Sequence, residues 1–188
     1  AVNGGASAPN WASAASGAWT EEGNAINTSP ATSLDVDVSD ADVYQVLFNV
    51  ADGGGTSSVV IRLNDVSTTT YRSMLGTMID GGSMNAELQL QTKWLISNAG
   101  SDYGFSGVCY IYKNDSNFSA SANAGASYTS QLNKYDGGDP YATSISSGTN
   151  DTITGAISKI TFMCMKENTS ANENIEGSIR VNSLSYSW

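Results

Sequence analysis

The chain has 188 residues, a length that suits one domain large enough to bury a core of its own. It carries 18 acidic residues against 8 basic ones, for a formal net charge of −10, and it contains no histidine. The acidic balance argues against binding to nucleic acid or to an anionic membrane surface, and the lack of histidine removes the commonest general base and the commonest zinc ligand.

Residues 1–17 have a composition typical of an arm or linker. They are rich in Ala, Ser and Gly, and their bulky apolar residues are Val2 and Trp11. The segment lacks the basic and apolar regions of a signal peptide, so we expect synthesis in the cytoplasm. We therefore divide the chain into an N-terminal arm, residues 1–17, and one folded domain, residues 18–188.

Short strand-like runs fill most of the folded domain. Leu34, Val36 and Val38 share one face of the first run, and Asp35 and Asp37 share the other, which predicts a strand with one buried face and one wet face. Further strand-like runs, separated by turn signals, cover residues 43–50, 58–64, 71–75, 86–96, 107–112, 157–165 and 177–186.

Residues 114–152 are polar, and we expect one irregular strand and long loops there. The whole pattern predicts eight to ten short strands without helices between them. Because parallel sheets need crossover helices, the predicted sheets are antiparallel. The predicted fold class is therefore all-β, an antiparallel two-sheet β-sandwich of jelly-roll type.

The two cysteines, Cys109 and Cys164, both lie in strand-like runs. Two cysteines cannot form a metal site by themselves, and no histidine is present to complete one. Two interpretations stay open: both are buried apolar side chains, or they form one disulfide bond between neighbouring strands. A catalytic thiol is not expected, because no base is visible to activate it.

The densest acidic cluster comprises Asp35, Asp37, Asp40 and Asp42. Calcium prefers several oxygen ligands on one loop. Asp35 and Asp37 instead alternate along a strand, and the spacing matches no calcium-loop motif. We expect a solvated strand face, with no metal and no cofactor.

A Gly- and Pro-containing turn holds Asp136 and Asp139 beside Tyr135 and Tyr141. It is either an ordinary turn or a contact for a partner or a glycan, because tyrosines among small polar residues make adaptable contact surfaces. The glycan hypothesis uses Tyr128, Tyr135 and Tyr141 as stacking platforms.

Large aromatic residues stand near both ends of the chain, at Trp11 and Trp188. Terminal residues usually fray, so bulky apolar side chains there indicate docking, either on the domain itself or on a neighbouring subunit. We expect Val2, Trp11 and Trp188 to contact a partner.

The order of several strand motifs is similar to that of a known family. The motifs are Val43-Tyr44-Gln45-Val46-Leu47-Phe48, Ile61-Arg62-Leu63-Asn64-Asp65 followed by Tyr71, Gly104-Phe105-Ser106-Gly107-Val108-Cys109-Tyr110-Ile111-Tyr112, Ile157-Ser158-Lys159-Ile160-Thr161-Phe162 and Gly177-Ser178-Ile179-Arg180-Val181. Over residues 33–185 the chain resembles tailed-phage virion proteins with a jelly-roll, concanavalin-like domain. The resemblance implies a capsid decoration protein or a tail-fibre tip module without chemistry of its own.

The expected function is therefore a non-enzymatic structural protein on the exterior of a phage virion. Its partners would be other virion proteins and further copies of itself in a homo-oligomer, with no nucleic acid and no membrane insertion. A second hypothesis is a carbohydrate- or receptor-binding module of a tail fibre that contacts a host surface glycan. A third, a glycan-degrading enzyme, would need two carboxylates facing each other across a cleft, and no local motif singles out such a pair.

Overall fold

The computed structural model describes residues 18–52, 56–68, 70–78, 84–101, 104–114, 125–135, 142–150, 152–153, 155–166 and 171–186. These residues form thirteen strands and no helix, so they contain no helix long and apolar enough to cross a membrane. The strands are β1 (Thr20–Ala31), β2 (Leu34–Asp37), β3 (Val43–Asp52), β4 (Thr56–Leu63), β5 (Tyr71–Met78), β6 (Met84–Gln91), β7 (Trp94–Ser101), β8 (Gly104–Lys113), β9 (Ala126–Tyr135), β10 (Ala142–Asn150), β11 (Lys159–Lys166), β12 (Asn172–Glu173) and β13 (Ile175–Leu184).

The strands form two antiparallel sheets. The large sheet has eight strands in the order β1-β13-β3-β8-β9-β10-β5-β6. The small sheet has five, in the order β12-β11-β4-β7 with β2 paired to β11. The predicted fold class, an all-β antiparallel two-sheet sandwich, is confirmed.

The pairing is that of a long hairpin wrapped across two sheets. Strands β3, β4 and β5 alternate between the large and the small sheet, and β8, β7 and β6 return beside them in reverse order. On their other side the same three strands pair with β13, β11 and β10. This nested arrangement is the wrapping expected of a jelly roll.

The expected number of strands was too low. β1 and β12 were not expected, the single run expected at residues 86–96 is divided between β6 and β7, and the polar region holds one strand more than expected. Where one irregular strand was expected, the chain forms both β9 and β10, paired in register. Their core-facing positions include Ser130 and Ser146, whose hydroxyl oxygens lie 2.6 Å apart in the buried interior. Because the two serines satisfy each other, they can be buried, and β10 forms without the alternating large apolar residues on which the prediction relied. β9 keeps that alternation in part, with Tyr128 and Leu132 buried beside Ser130.

The main core lies between the sheets. In β3 the buried side chains alternate as Tyr44, Val46, Phe48 and Val50, which is the period of a strand with one buried face. Phe48 meets Phe162 of the small sheet with ring centroids 5.1 Å apart. The contact joins the two layers through aromatic packing.

A second apolar cluster lies on the other side of the small sheet. Val60, Leu95, Met163 and Met165 alternate with the core-facing residues of their strands, yet all four are buried. Leu75 of the large sheet belongs to the same cluster. Around this cluster the described part of the small sheet therefore buries side chains on both faces, whereas outward residues of the large sheet such as Leu47 and Ile145 are exposed.

Side chains of the large sheet satisfy the backbone at the edge strand β7. The Tyr128 hydroxyl donates to the Leu95 carbonyl oxygen at 2.6 Å, and the Leu95 N–H donates to the Ser73 hydroxyl at 2.9 Å. Trp94 lies between two buried tyrosine rings, with centroid distances of 5.4 Å to Tyr71 and 4.8 Å to Tyr128. β7 pairs with β4 on one side only, and these two bonds satisfy polar backbone groups of Leu95 that would otherwise be buried without partners on the other side.

Neither cysteine forms a disulfide bond, and both are buried in the main core, Cys109 on the large sheet and Cys164 on the small one. Of the two interpretations left open, buried apolar side chains is therefore confirmed and the disulfide bond is wrong. Burial raises the pKa of the Cys109 thiol, which keeps it protonated at neutral pH.

Candidate functional site: the outer face of the large sheet

The outer face of the large sheet, which points away from the small sheet, is uncharged across its central strands. The strand register places one outward residue of each strand beside an outward residue of the next. On β3, β8, β9 and β10 these outward residues are Gln45, Leu47, Asn49, Ser106, Val108, Tyr110, Tyr112, Ser127, Thr129, Gln131, Asn133, Thr143, Ile145, Ser147 and Thr149. None of them is ionisable near neutral pH, although the chain as a whole carries a net charge of −10.

Several large apolar side chains are exposed on this same face. Ile26 is 65% exposed, Met74 54%, Ile145 49% and Leu47 40%. Exposed apolar side chains gathered on one face of a soluble domain mark a contact surface more often than single scattered ones do. The outer face is therefore the surface on which we centre the candidate site.

A groove of about 390 Å³ crosses this face between β1, β13 and β3. The register gives its outward side chains two rows of three: Asn24, Arg180 and Leu47 in one, and Ile26, Ser178 and Asn49 in the other. Ser178 has the shortest side chain of the six and leaves space between its two larger neighbours. The volume falls within the range of small-ligand sites, about 300–1,000 Å³.

A row of hydrogen-bonded side chains, here called the polar row, borders the groove. The Asn182 side-chain amide donates to the Gln45 Oε1 at 3.0 Å, and the Gln45 Nε2 donates to the Tyr110 hydroxyl at 3.1 Å. The three residues occupy adjacent strands, and Gln45 lies two residues before the groove residue Leu47. The Tyr110 oxygen accepts in this bond, so its own proton can be donated to a further group.

Trp19 extends the polar row with a second aromatic ring. It is 43% exposed and precedes β1, and its ring centroid lies 6.4 Å from that of Tyr110. The two rings are tilted by 51° to each other. Together they present aromatic surface directly beside amide groups.

Charged residues stand at both ends of the groove: Glu176 takes the outward position on β13 two residues before Ser178, and Arg180 lies at the other end. Arg180 and Glu21 form an exposed ion pair there, with 3.8 Å between Nε and Oε1. Such a pair contributes little stability, because both groups remain hydrated. The nearby Glu22 points elsewhere: burial acts to raise its pKa, but hydrogen bonds from Ser183 and Ser39 lower it overall.

The acidic cluster predicted from the sequence is distributed among separate contacts. Asp40 forms an ion pair with Lys113 at 2.6 Å and accepts from the Ile157 N–H. Asp42 accepts from the Tyr186 N–H. Among the residues described above, no group of three or more His, Cys, Asp or Glu side chains is arranged to hold a metal ion.

The turn at Asn64 and Asp65 is a structural connection. Both residues have positive φ, 50° and 56°, a conformation that Asn and Asp tolerate better than most residues. The Asn64 side chain accepts from the Ser158 N–H at 2.8 Å and donates to the Ala156 carbonyl at 2.7 Å. Its amide therefore joins the turn to the segment before β11.

Tyr128, predicted as a stacking platform, is only 1% exposed and packs on Trp94 in the core. That prediction is wrong, because β9 turns this ring towards the small sheet and its hydroxyl is bonded to Leu95. Tyr135 is the last residue of β9, and its side chain is not among those described. The other predicted site residues lie wholly outside the described residues: Val2, Trp11, Asp136, Asp139, Tyr141 and Trp188.

The groove and the polar row were missed by sequence reasoning. The strand expected at residues 107–112 is confirmed as part of β8, with Val108, Tyr110 and Tyr112 on one face. The pattern could not tell whether this face was the core or the surface. Nor could it bring Asn182 beside Gln45, since 137 positions separate them.

Comparison with known proteins adds no relative from which a function could be transferred. The chain matches no protein-family model, no curated protein and no solved structure. The class that the structure defines is the antiparallel two-sheet β-sandwich.

Proposed function

We propose that this protein is a non-enzymatic structural component on the exterior of a phage virion, either a capsid decoration protein or a tail-fibre tip module. The jelly-roll wrapping supports this proposal, because it is the architecture that the resemblance of the strand motifs implies. Such a component acts through the fit of its surfaces to other molecules.

The proposal depends mainly on the outer face of the large sheet, which is uncharged across its central strands and exposes several large apolar side chains. A chain with a net charge of −10 repels other acidic molecules, and the repulsion is weakest where the charges are absent. An open face of this kind suits contact with a neighbouring molecule, while the acidic remainder keeps the protein soluble.

Purified particles of a phage that encodes this chain provide the direct test. Mass spectrometry of the particles should detect the chain, and gold-labelled antibodies should bind intact particles at the capsid or at the tail tip. Absence from purified particles, or labelling only after the particles are broken open, would contradict the proposal.

Attachment is tested separately by deleting residues 2–17. We expect the shortened chain to fold with unchanged thermal unfolding but to be missing from particles, because Val2 and Trp11 would be part of the attachment. Replacing Trp188 by Ala tests the other end in the same way. Normal incorporation of both variants would show that neither end attaches the protein.

A further inference from the structure

We propose that the groove between β1, β13 and β3, together with the polar row beside it, binds an uncharged glycan. The inference rests on the proposed function, because it takes the outer face as the surface through which the protein makes its contacts. It adds the chemical class of the ligand and the residues that hold it.

The charges of the face favour a neutral ligand. An anionic ligand would be repelled by a chain of net charge −10. The acidic side chains near the groove are Glu21, which is paired with Arg180, and Glu176, which lies two residues before Ser178 on β13, while the outward positions of β3 and β8 carry no carboxylate. Arg180, the cation at the groove, already has Glu21 at 3.8 Å. An uncharged glycan with many hydroxyl groups needs no counter-ion in such a site.

The groove combines the two kinds of group that a sugar ring presents. Ile26 and Leu47 offer exposed aliphatic surface for the C–H side of a ring. Asn24 and Asn49 line the same groove, and each amide both donates and accepts, as a sugar hydroxyl does. Ser178 adds a hydroxyl between them.

The polar row is prepared for binding before a ligand arrives. The bonds from Asn182 to Gln45 and from Gln45 to Tyr110 hold both amides and the phenol in place, so little side-chain freedom is lost on binding. The Tyr110 and Trp19 rings offer flat apolar surface at the end of the row.

The dimensions suit a short oligosaccharide. The site crosses the four neighbouring strands β1, β13, β3 and β8, which spans about 14 Å at the usual strand spacing of about 4.8 Å. A second copy of the chain is a different occupant of this face, and it would need about 800 Å² from each partner for a stable interface, so the oligomeric state in solution distinguishes it from a glycan.

The test measures binding of the full chain to an array of neutral and acidic glycans, followed by native electrophoresis in gels containing dextran, mannan or alginate. We expect saturable binding to at least one uncharged glycan, with little dependence on salt. Binding to alginate alone, or no binding to any glycan on the array, would overturn the inference.

Matched variants locate the site on the sheet. Leu47→Ser should weaken binding about tenfold, the size expected for losing one aliphatic contact, whereas Ile145→Ser should change it less than about twofold. Both residues are exposed aliphatic side chains on the same face, three strands apart. Equal effects of the two variants would place the ligand elsewhere.

A second pair tests the polar row. Gln45→Ala should weaken binding at least about fivefold by releasing Tyr110 and Asn182, and Gln131→Ala on β9 is its control. Thermal unfolding of each variant verifies that it is folded. An unchanged affinity in Gln45→Ala would exclude the row from the site.

Light scattering of the protein in solution tests whether a second copy of the chain, and not a glycan, occupies this face. A dimer that Leu47→Ser dissociates, without any glycan binding, would assign the face to a second copy and overturn the inference. Failure on the glycan array with the chain still present on intact particles would leave the proposed function standing. Glycan binding by a chain that is absent from particles would support the glycan site and contradict the proposed function.

Discussion

Replacing Tyr128 by Phe removes one buried hydroxyl group and leaves the ring in place. The hydroxyl donates to the Leu95 carbonyl at 2.6 Å, and both residues are almost fully buried, 1% and 2% exposed. Since Leu95 lies on the edge strand β7, no neighbouring strand beyond it can replace the lost donor.

The expected cost follows from what is left behind. An ordinary intramolecular hydrogen bond contributes about 1 kcal/mol net, but a buried acceptor that loses its partner costs about 1–3 kcal/mol. We therefore expect Tyr128→Phe to lower the free energy of unfolding by about 2 kcal/mol. Tyr128→Ala also removes the ring that packs on Trp94 and should cost about 3–5 kcal/mol.

Urea unfolding monitored by tryptophan fluorescence measures the difference, with an unchanged m-value as the sign that only the folded state is affected. Tyr112→Phe is the matched control, because its ring is 37% exposed on the outer face, and it should change stability by less than about 0.5 kcal/mol. If Tyr128→Phe costs no more than this control, the assignment of Tyr128 to the core bond is refuted.

In the same assay Gly148→Ala should lower the free energy of unfolding by about 3 kcal/mol, because the added Cβ would lie 1.9 Å from the Arg72 carbonyl oxygen. Gly104→Ala is the control, because a Cβ added there meets no atom within 4 Å. Equal losses in the two variants would contradict the packing described. Burial raises the pKa of Tyr71 to about 12, so above pH 10 the folded chain keeps a proton that the unfolded chain loses. The free energy of unfolding measured from pH 9 to 12 should therefore fall, by up to about 1.4 kcal/mol per pH unit from this group. A rise in stability over this range would refute the burial of the Tyr71 hydroxyl. Cys109 should react with a thiol reagent only after unfolding, and rapid labelling of the folded protein would contradict its burial.

Local alternation was sufficient where a strand has one apolar and one polar face. Leu34 and Val36 are buried in β2 and Asp35 and Asp37 are exposed, as their pattern predicts. In β2 the hydrophobic effect acts on alternate residues, so the pattern and the burial coincide. β11 differs, because Ile160, Phe162 and Cys164 face the main core while Met163 and Met165 on the opposite face are buried as well.

The strands that were missed carry no such pattern. β1 is an edge strand with largely exposed residues, and β10 buries Ser144, Ser146 and Asn150 in place of large apolar groups. This polar setting also made Tyr128 look like a loop residue at the surface. Its true place depends on the strand in which it lies and on its parity in the register.

The composition and spacing of the residues determined a helix-poor, acidic chain of antiparallel strands. The folded molecule decided that the small sheet buries side chains on both faces, because the cluster around Val60 and Met163 lies on the side away from the main core. It also decided that Asn182, Gln45 and Tyr110 form one row. Such neighbours are created by strand register between distant segments, and a shift of one residue would turn every side chain of a strand to the opposite face.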